Sequence, residues 1–155
     1  MKTRKGFTLI ELLVVVSIIG LILSIALASL RSAKDKAADA NIKANLGTVK
    51  TQTALYFDTH GDLGFSPADP CQFEEGTLFG DPTIIGAIES AKTASGGFAS
   101  CYSNADKWAV AVQMRESPTT AWCIDWRGTT RQYPIGSAVD QEAVDNLIVS
   151  DHCGN

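Results

Sequence analysis

The sequence predicts an α+β fold: one long N-terminal helix, apolar in its first half and amphipathic in its second, packed on a small antiparallel β-sheet. Three observations predict it. Residues 7–30 form an apolar run interrupted by a single ionisable side chain, Glu11. Residues 31–60 continue without proline, and Ala38, Ile42, Leu46, Val49, Thr53 and Tyr56 recur at steps of four or three, the spacing of one helix face. Between 104 and 135 the pattern changes to period two, the signature of strands with one face covered.

The first element is a short basic head, residues 1–6, carrying Lys2, Arg4 and Lys5. The apolar stretch behind it, roughly 24 residues at about 1.5 Å per residue, spans a hydrocarbon core of about 30 Å. Glu11 does not belong there, because no Lys or Arg lies within the run to pair with it. A charged side chain at membrane depth costs on the order of 3 kcal/mol and marks a functional position. Cutting the chain between Gly6 and Phe7 would remove the head and create an α-amino group on Phe7. That amine lies at i to i+4 from Glu11 within one helix, and it could equally meet the Glu11 of a neighbouring helix. Either contact neutralises the carboxylate, and the second makes assembly depend on it.

A basic leader, then G-F-T-L-I-E, then an apolar helix resembles the type IV pilin and pseudopilin family, whose precursors carry a class III leader. The resemblance covers about the first 30 residues. It implies cleavage by prepilin peptidase after Gly6, N-methylation of Phe7, and a role for Glu11 in filament assembly. It also implies a pilin-like fold, a single-pass precursor in the cytoplasmic membrane with its C-terminal domain outside, and a later place in an extracellular pilus. One departure is visible: Ala28 stands where many members carry a helix-kinking proline. The rival reading is a secretory signal cleaved after Ala28, since Ala26-Leu27-Ala28 resembles an A-x-A site. Against it, the apolar run exceeds the usual h-region of about 7–15 residues and carries a carboxylate near its start.

Residues 31–155 are read as one globular domain. Its amphipathic helix, 31–60, places Lys34, Asp35, Lys36, Asp39, Lys43 and Lys50 mostly off the apolar face, and Gly61 supplies the C-cap. The whole helix runs from Phe7 to about Thr59, roughly 80 Å by the standard rise. An irregular connection, 61–103, follows, with a short helix opened by Asp81 as N-cap and Pro82 at the first helical position. A β-meander of three or four strands occupies 104–135, carried by Trp108–Arg115, Ala121–Trp126 and Thr130–Tyr133. Its tryptophans are read as core. The segment 136–155 is a short helix or loop tethered near its end by Cys153.

Cys71, Cys101, Cys123 and Cys153 all follow the apolar run, an even count in a small domain beyond a membrane anchor, which reads as two disulfides in an oxidising compartment. Of three connectivities, Cys71–Cys101 with Cys123–Cys153 is preferred. The first pair brackets the irregular connection, and the second anchors a C-terminus that has few other holds. The chief alternative joins Cys71 to Cys153 and Cys101 to Cys123. No zinc-ligand spacing involves His60 or His152, and no cofactor is expected. Asp140, Asp145 and Asp151 lack the EF-hand spacing and read as a solvated acidic face rather than a calcium site.

Formal net charge is −4; removing the three cations of the head leaves −7, which argues against nucleic-acid binding. No nucleophile–base constellation, phosphate-binding glycine loop or H-E-x-x-H motif is present, so no residues carry an enzyme reading. The leading function is therefore a structural one. The chain reads as a pilus subunit that forms a helical homo-oligomeric filament through its N-terminal helix, with prepilin peptidase and the assembly machinery as partners. The alternatives are a pseudopilin of a type II secretion system and a secreted domain released after Ala28.

Overall fold

The computed structural model describes residues 6–136, 140–149 and 151–154. The cations Lys2, Arg4 and Lys5 lie outside the described residues. Helix α1 runs from Leu9 to His60, 52 residues without proline. It ends where Gly61 takes the left-handed conformation (φ 73°) and donates its N–H to the Phe57 carbonyl at 2.8 Å. Only glycine adopts that backbone cheaply, so the helix stops there. The chain divides between Lys34 and Asp35 into two compact units, and α1 contributes to both.

In the first unit the large apolar side chains of α1 are exposed on every face, from Leu9 to Leu30. The second unit holds a five-stranded antiparallel sheet in chain order: β1 (Ser66–Pro70), β2 (Ala99–Asn104), β3 (Lys107–Gln113), β4 (Thr120–Asp125) and β5 (Thr130–Pro134). Helix α2 (Pro82–Ser95) links β1 to β2, and α3 (Gln141–Asp145) precedes a two-stranded ribbon, β6 (Ile148–Val149) with β7 (His152–Cys153).

One face of the sheet packs on α1 and α2. Ile42, Leu46, Val49 and Tyr56 of α1 and Ile84, Ile88 and Ala91 of α2 meet Trp108, Val110, Val112 and Ile124. Each large apolar side chain buried this way contributes about 1.5–3 kcal/mol. The N-cap of α2 is Asp81, whose Oδ1 accepts from the N–H groups of Thr83 (2.8 Å) and Ile84 (3.1 Å).

The structure differs from the sequence reading in four places. The sheet has five strands rather than three or four, and two of them, β1 and β2, lie wholly or mostly in the connection read as irregular. Neither shows period-two alternation. The β1 sequence, S-P-A-D-P, is an edge strand, where proline is tolerated. Strand β2 buries Ser100 and Ser103 along with Ala99 and Cys101. The second difference is the other face of the sheet, read as open. Ala109, Ala111, Ala121 and Cys123 are covered by Val144, Leu147, Ile148 and Cys153, and the small alanines let the C-terminal segment approach closely. Third, Asp39 is buried rather than on a solvated face, because its Oδ1 accepts from the backbone N–H of Arg115 at 2.7 Å and of Glu116 at 3.3 Å. Arg115 Nε adds a bond to Asp35 at 3.1 Å, so the β3–β4 connection is clamped to the helix. Fourth, Trp126 is 39% exposed and is not core.

Cys71 is bonded to Cys101 (Cα–Cα 4.7 Å) and Cys123 to Cys153 (6.0 Å). The first bridge holds the end of β1 to β2; the second ties the C-terminal ribbon across the second face of the sheet. Beside it the buried Asp125 carboxylate accepts from the N–H groups of Arg127 (3.0 Å), Thr129 (2.9 Å) and Cys153 (3.0 Å). Three donors satisfy a carboxylate that burial would otherwise penalise.

Two predictions follow from this packing. The double variant Cys123→Ser/Cys153→Ser should lose roughly 3 kcal/mol, with amide protection lost first at 148–153 while α1 and the sheet persist. Non-reducing peptide mapping of the wild type should give Cys71–Cys101 and Cys123–Cys153 peptides; a Cys101–Cys123 peptide would overturn the pairing.

The second concerns the ribbon. Lys107 Nζ lies 2.7 Å from Asp151 Oδ2, and His152 Nδ1 lies 2.9 Å from Asp151 Oδ1. The hydrogen bond from Lys107, then that to His152, holds the Asp151 carboxyl below the usual carboxylate range, and the same bond to Asp151 raises Lys107. A depressed acid stabilises the fold above its unfolded pKa of about 3.9 and loses that contribution as pH falls through the lower folded value. A raised lysine acts fully below about 10.4 and fades above it, so the clamp is complete between these limits. An NMR titration should find Asp151 below its ordinary value, and Lys107→Met should move it upward.

Candidate functional site

Gly6, Phe7 and Thr8 precede the helix, and Phe7 is 83% exposed. Thr8 is the N-cap of α1. Its Oγ1 accepts from the Glu11 N–H at 3.4 Å, while Glu11 Oε2 accepts from the Thr8 N–H at 2.9 Å and the Thr8 hydroxyl at 2.7 Å. Residues Thr8 to Glu11 thus form a reciprocal capping box, T-x-x-E, in which each residue's side chain accepts from the other's backbone N–H. The sequence reading missed this role for Thr8, although the T-x-x-E spacing before an apolar run is its signature.

The capping box fixes where the Glu11 carboxylate sits: folded back to Thr8, the residue next to Phe7. It supplies hydrogen bonds, and among the described residues no cation pairs with Glu11. Two serines along this stretch are satisfied within the helix. Ser17 Oγ donates to the Leu13 carbonyl at 2.8 Å and Ser24 Oγ to the Gly20 carbonyl at 2.9 Å. Ser24 therefore needs no partner helix for its hydroxyl. A β-carbon added at Gly20 would meet nothing within 4 Å, so that glycine leaves a notch in the helix surface.

The surface around Glu11 is apolar and uncovered: Leu9, Ile10, Leu12, Leu13, Val14 and Val15 are all exposed, from 81% down to 46%. A patch of this kind is buried by a bilayer or by partner helices. The helix is long and apolar enough to cross a membrane.

The remaining residues singled out in the sequence lie in the second unit and are structural. The four cysteines form the two bridges described above. Asp140 caps α3 through the Ala143 N–H (2.9 Å), Asp145 accepts from Gln141 Nε2 (2.8 Å), and Asp151 holds Lys107. Among the described residues no group of three or more His, Cys, Asp or Glu side chains is arranged to hold a metal ion.

Residues 1–27 match the family model for the prokaryotic N-terminal methylation motif, the class III leader of type IV pilins and pseudopilins. No curated protein and no solved structure matches the chain. The N-terminal segment therefore carries the motif found in prepilins of the pilin or pseudopilin type, a motif that implies processing by prepilin peptidase.

Replacing Glu11 by leucine should make membrane insertion easier by up to about 3 kcal/mol, the cost of a carboxylate at mid-span. A translocon insertion assay on the 1–34 segment reads this directly. Unchanged insertion would mean that the carboxylate stays out of the hydrocarbon.

Proposed function

We propose that the chain is a structural subunit of a type IV pilus. Residues 7–30 hold the precursor in the cytoplasmic membrane with the domain outside. Prepilin peptidase cuts between Gly6 and Phe7, Phe7 is N-methylated, and the mature chain polymerises into an extracellular helical filament. The single observation that carries this reading is Glu11, a charge without a counter-charge in an apolar span, set beside the one junction whose cleavage creates an amine next to it. In the bilayer its carboxylate would be held by Thr8, with no Lys or Arg inside the span to neutralise it. Docking on the Phe7 amine of a neighbouring copy would remove that penalty, so polymerisation draws on a cost already present in the precursor. A structural role, not a catalytic one, accounts for these residues.

The same leader and helix would serve a pseudopilin of a type II secretion system. Two disulfides stapling the connection and the C-terminal ribbon favour the exposed filament, where cross-linked segments resist unfolding.

The mature chain should begin at Phe7 and carry the added mass of one methyl group, and Glu11→Leu should insert but fail to assemble. Terminal sequencing that finds Ser29, or Glu11→Leu filaments growing at the wild-type rate, would sink the proposal. Filaments sheared from cells at native expression support the pilus. Their absence, with a secretion defect on deletion, assigns the chain to a pseudopilus.

A further inference from the structure

A recess of about 490 Å³ opens on the second unit between the last turns of α1 and the start of α2. Its ionisable side chains are Tyr56 and His60 of α1, Asp62 just beyond it, and Asp81 at the cap of α2. We infer that this recess binds a small organic cation bearing N–H donors, an ammonium or a guanidinium group. The inference does not rest on filament assembly, since it uses only residues of the second unit.

The side chains on the walls offer acceptors. Asp62 Oδ1 accepts from the Gly64 N–H at 2.6 Å, and Oδ2 has no partner among the described residues. Asp81 gives Oδ1 to the first turn of α2, while Oδ2 has only a long contact of 3.4 Å with Gln52 Nε2. Neither carboxylate forms an ion pair among the described residues. His60 Nδ1 lies 3.0 Å from the Tyr56 carbonyl and 2.8 Å from the Thr59 hydroxyl. A carbonyl only accepts, so Nδ1 carries the proton, and Nε2 of the neutral ring is an acceptor. The Thr77 hydroxyl spends its proton on the Glu74 carbonyl at 2.8 Å. Gly76, Gly80 and Pro82 complete the lining without polar side chains.

A buried hydroxyl points the same way. Tyr56 is 7% exposed and stacks on His60 at 4.1 Å between ring centres, yet its hydroxyl has no hydrogen-bond partner among the described residues. Burial first, then the charges of Asp81 and Asp62, raise this hydroxyl above the ordinary tyrosine pKa, so it lies in the field of both carboxylates. An N–H donor seated there bonds the hydroxyl oxygen and offsets the two negative charges.

Other ligand classes are opposed by the same groups. From Thr51 to Ala91 the sequence holds seven Asp and Glu residues and no Lys or Arg, so the segments that build the recess repel an anion. An apolar guest would take Asp62 and Asp81 out of water without pairing them, and a neutral sugar would leave both charges uncompensated. A metal ion calls for a group of ligating side chains, and among the described residues no three His, Cys, Asp or Glu are so arranged. The volume falls within the range of small-molecule sites, about 300–1,000 Å³. The loop on one side is tightly folded, since a β-carbon at Gly80 would strike the Glu74 carbonyl. A fixed wall of this kind loses little entropy on binding.

The test uses the full chain in a nonionic detergent free of amines, with ethylammonium, methylguanidinium and tetramethylammonium chlorides as probes. Backbone amide NMR should show ethylammonium or methylguanidinium shifting residues 60–64 and 76–81 with millimolar affinity. Tetramethylammonium, which has the charge but no N–H, should bind about fivefold more weakly or worse. Asp62→Asn should weaken binding about tenfold, and so should Asp81→Asn, which keeps a competent N-cap for α2. Tyr56→Phe should weaken it about threefold while leaving thermal unfolding unchanged, because the hydroxyl has no partner to lose. Nα-acetyl-lysine methylamide binding more tightly than ethylammonium supports the site as a receptor for a protein side chain; equal binding supports it as a receptor for a free amine. No shift from either N–H cation at about 50 mM would overturn the proposal. So would wild-type affinity in a folded Asp62→Asn/Asp81→Asn chain, or tetramethylammonium matching ethylammonium. Calcium displacing ethylammonium at lower concentration would overturn it in favour of a metal site.

Discussion

The contact on which the domain depends is the stripe of α1 against the sheet. Ile42, Leu46 and Val49 are fully buried, and they meet β-branched residues of the central strands. A helix as long as α1 has no stable fold of its own in water beyond its propensity; its second half is fixed by burying this stripe. The sheet is equally dependent, because its valines and isoleucine would otherwise face solvent. Asp39 adds direction to an otherwise greasy contact. Its carboxylate caps backbone N–H groups at the β3–β4 connection, which sets the register of the helix along the sheet as apolar packing alone does not.

Strand β3 lies at the centre and is buried on both faces, so it reads as a nearly continuous buried segment. The two faces are covered differently. Large side chains meet the helices on one face, and alanines on the other leave room for the C-terminal ribbon. That ribbon is too short to hold itself. The Cys123–Cys153 bridge, the Asp125 carboxylate and the Lys107–Asp151 pair each attach it to the sheet. The turn after β4, held by the same Asp125, carries Trp126 to the surface. One buried carboxylate thus serves both the tail and the turn after β4.

The N-terminal segment follows a different rule. Its apolar side chains have no protein core, and Ser17 and Ser24 satisfy themselves within the helix. The Thr8–Glu11 box stabilises the helix start while holding the Glu11 carboxyl in an apolar setting. Local hydrogen bonding and charge neutralisation are separate requirements, and among the described residues only the first is met.

Much of this was legible in the sequence. The uninterrupted helix, its apolar and amphipathic halves, the Asp81–Pro82 start of α2, the strands from Trp108 to Tyr133 and the position of Glu11 all follow from periodicity, capping chemistry and the cost of a charge among apolar residues. These are local signals, carried by residues a few positions apart. What only the tertiary structure decided is non-local. Strands β1 and β2 owe their pairing to β3 and to the Cys71–Cys101 bridge, not to their own unpatterned sequences. Asp39 and Asp125 are buried because backbone donors distant in sequence converge on them, and no spacing announces that. Ala109, Ala111 and Ala121 form a docking face only once the C-terminal segment lies over them. Trp126 alternates in register with core residues yet stays 39% exposed, because β4 ends at Asp125 and Trp126 already lies in the turn at Gly128.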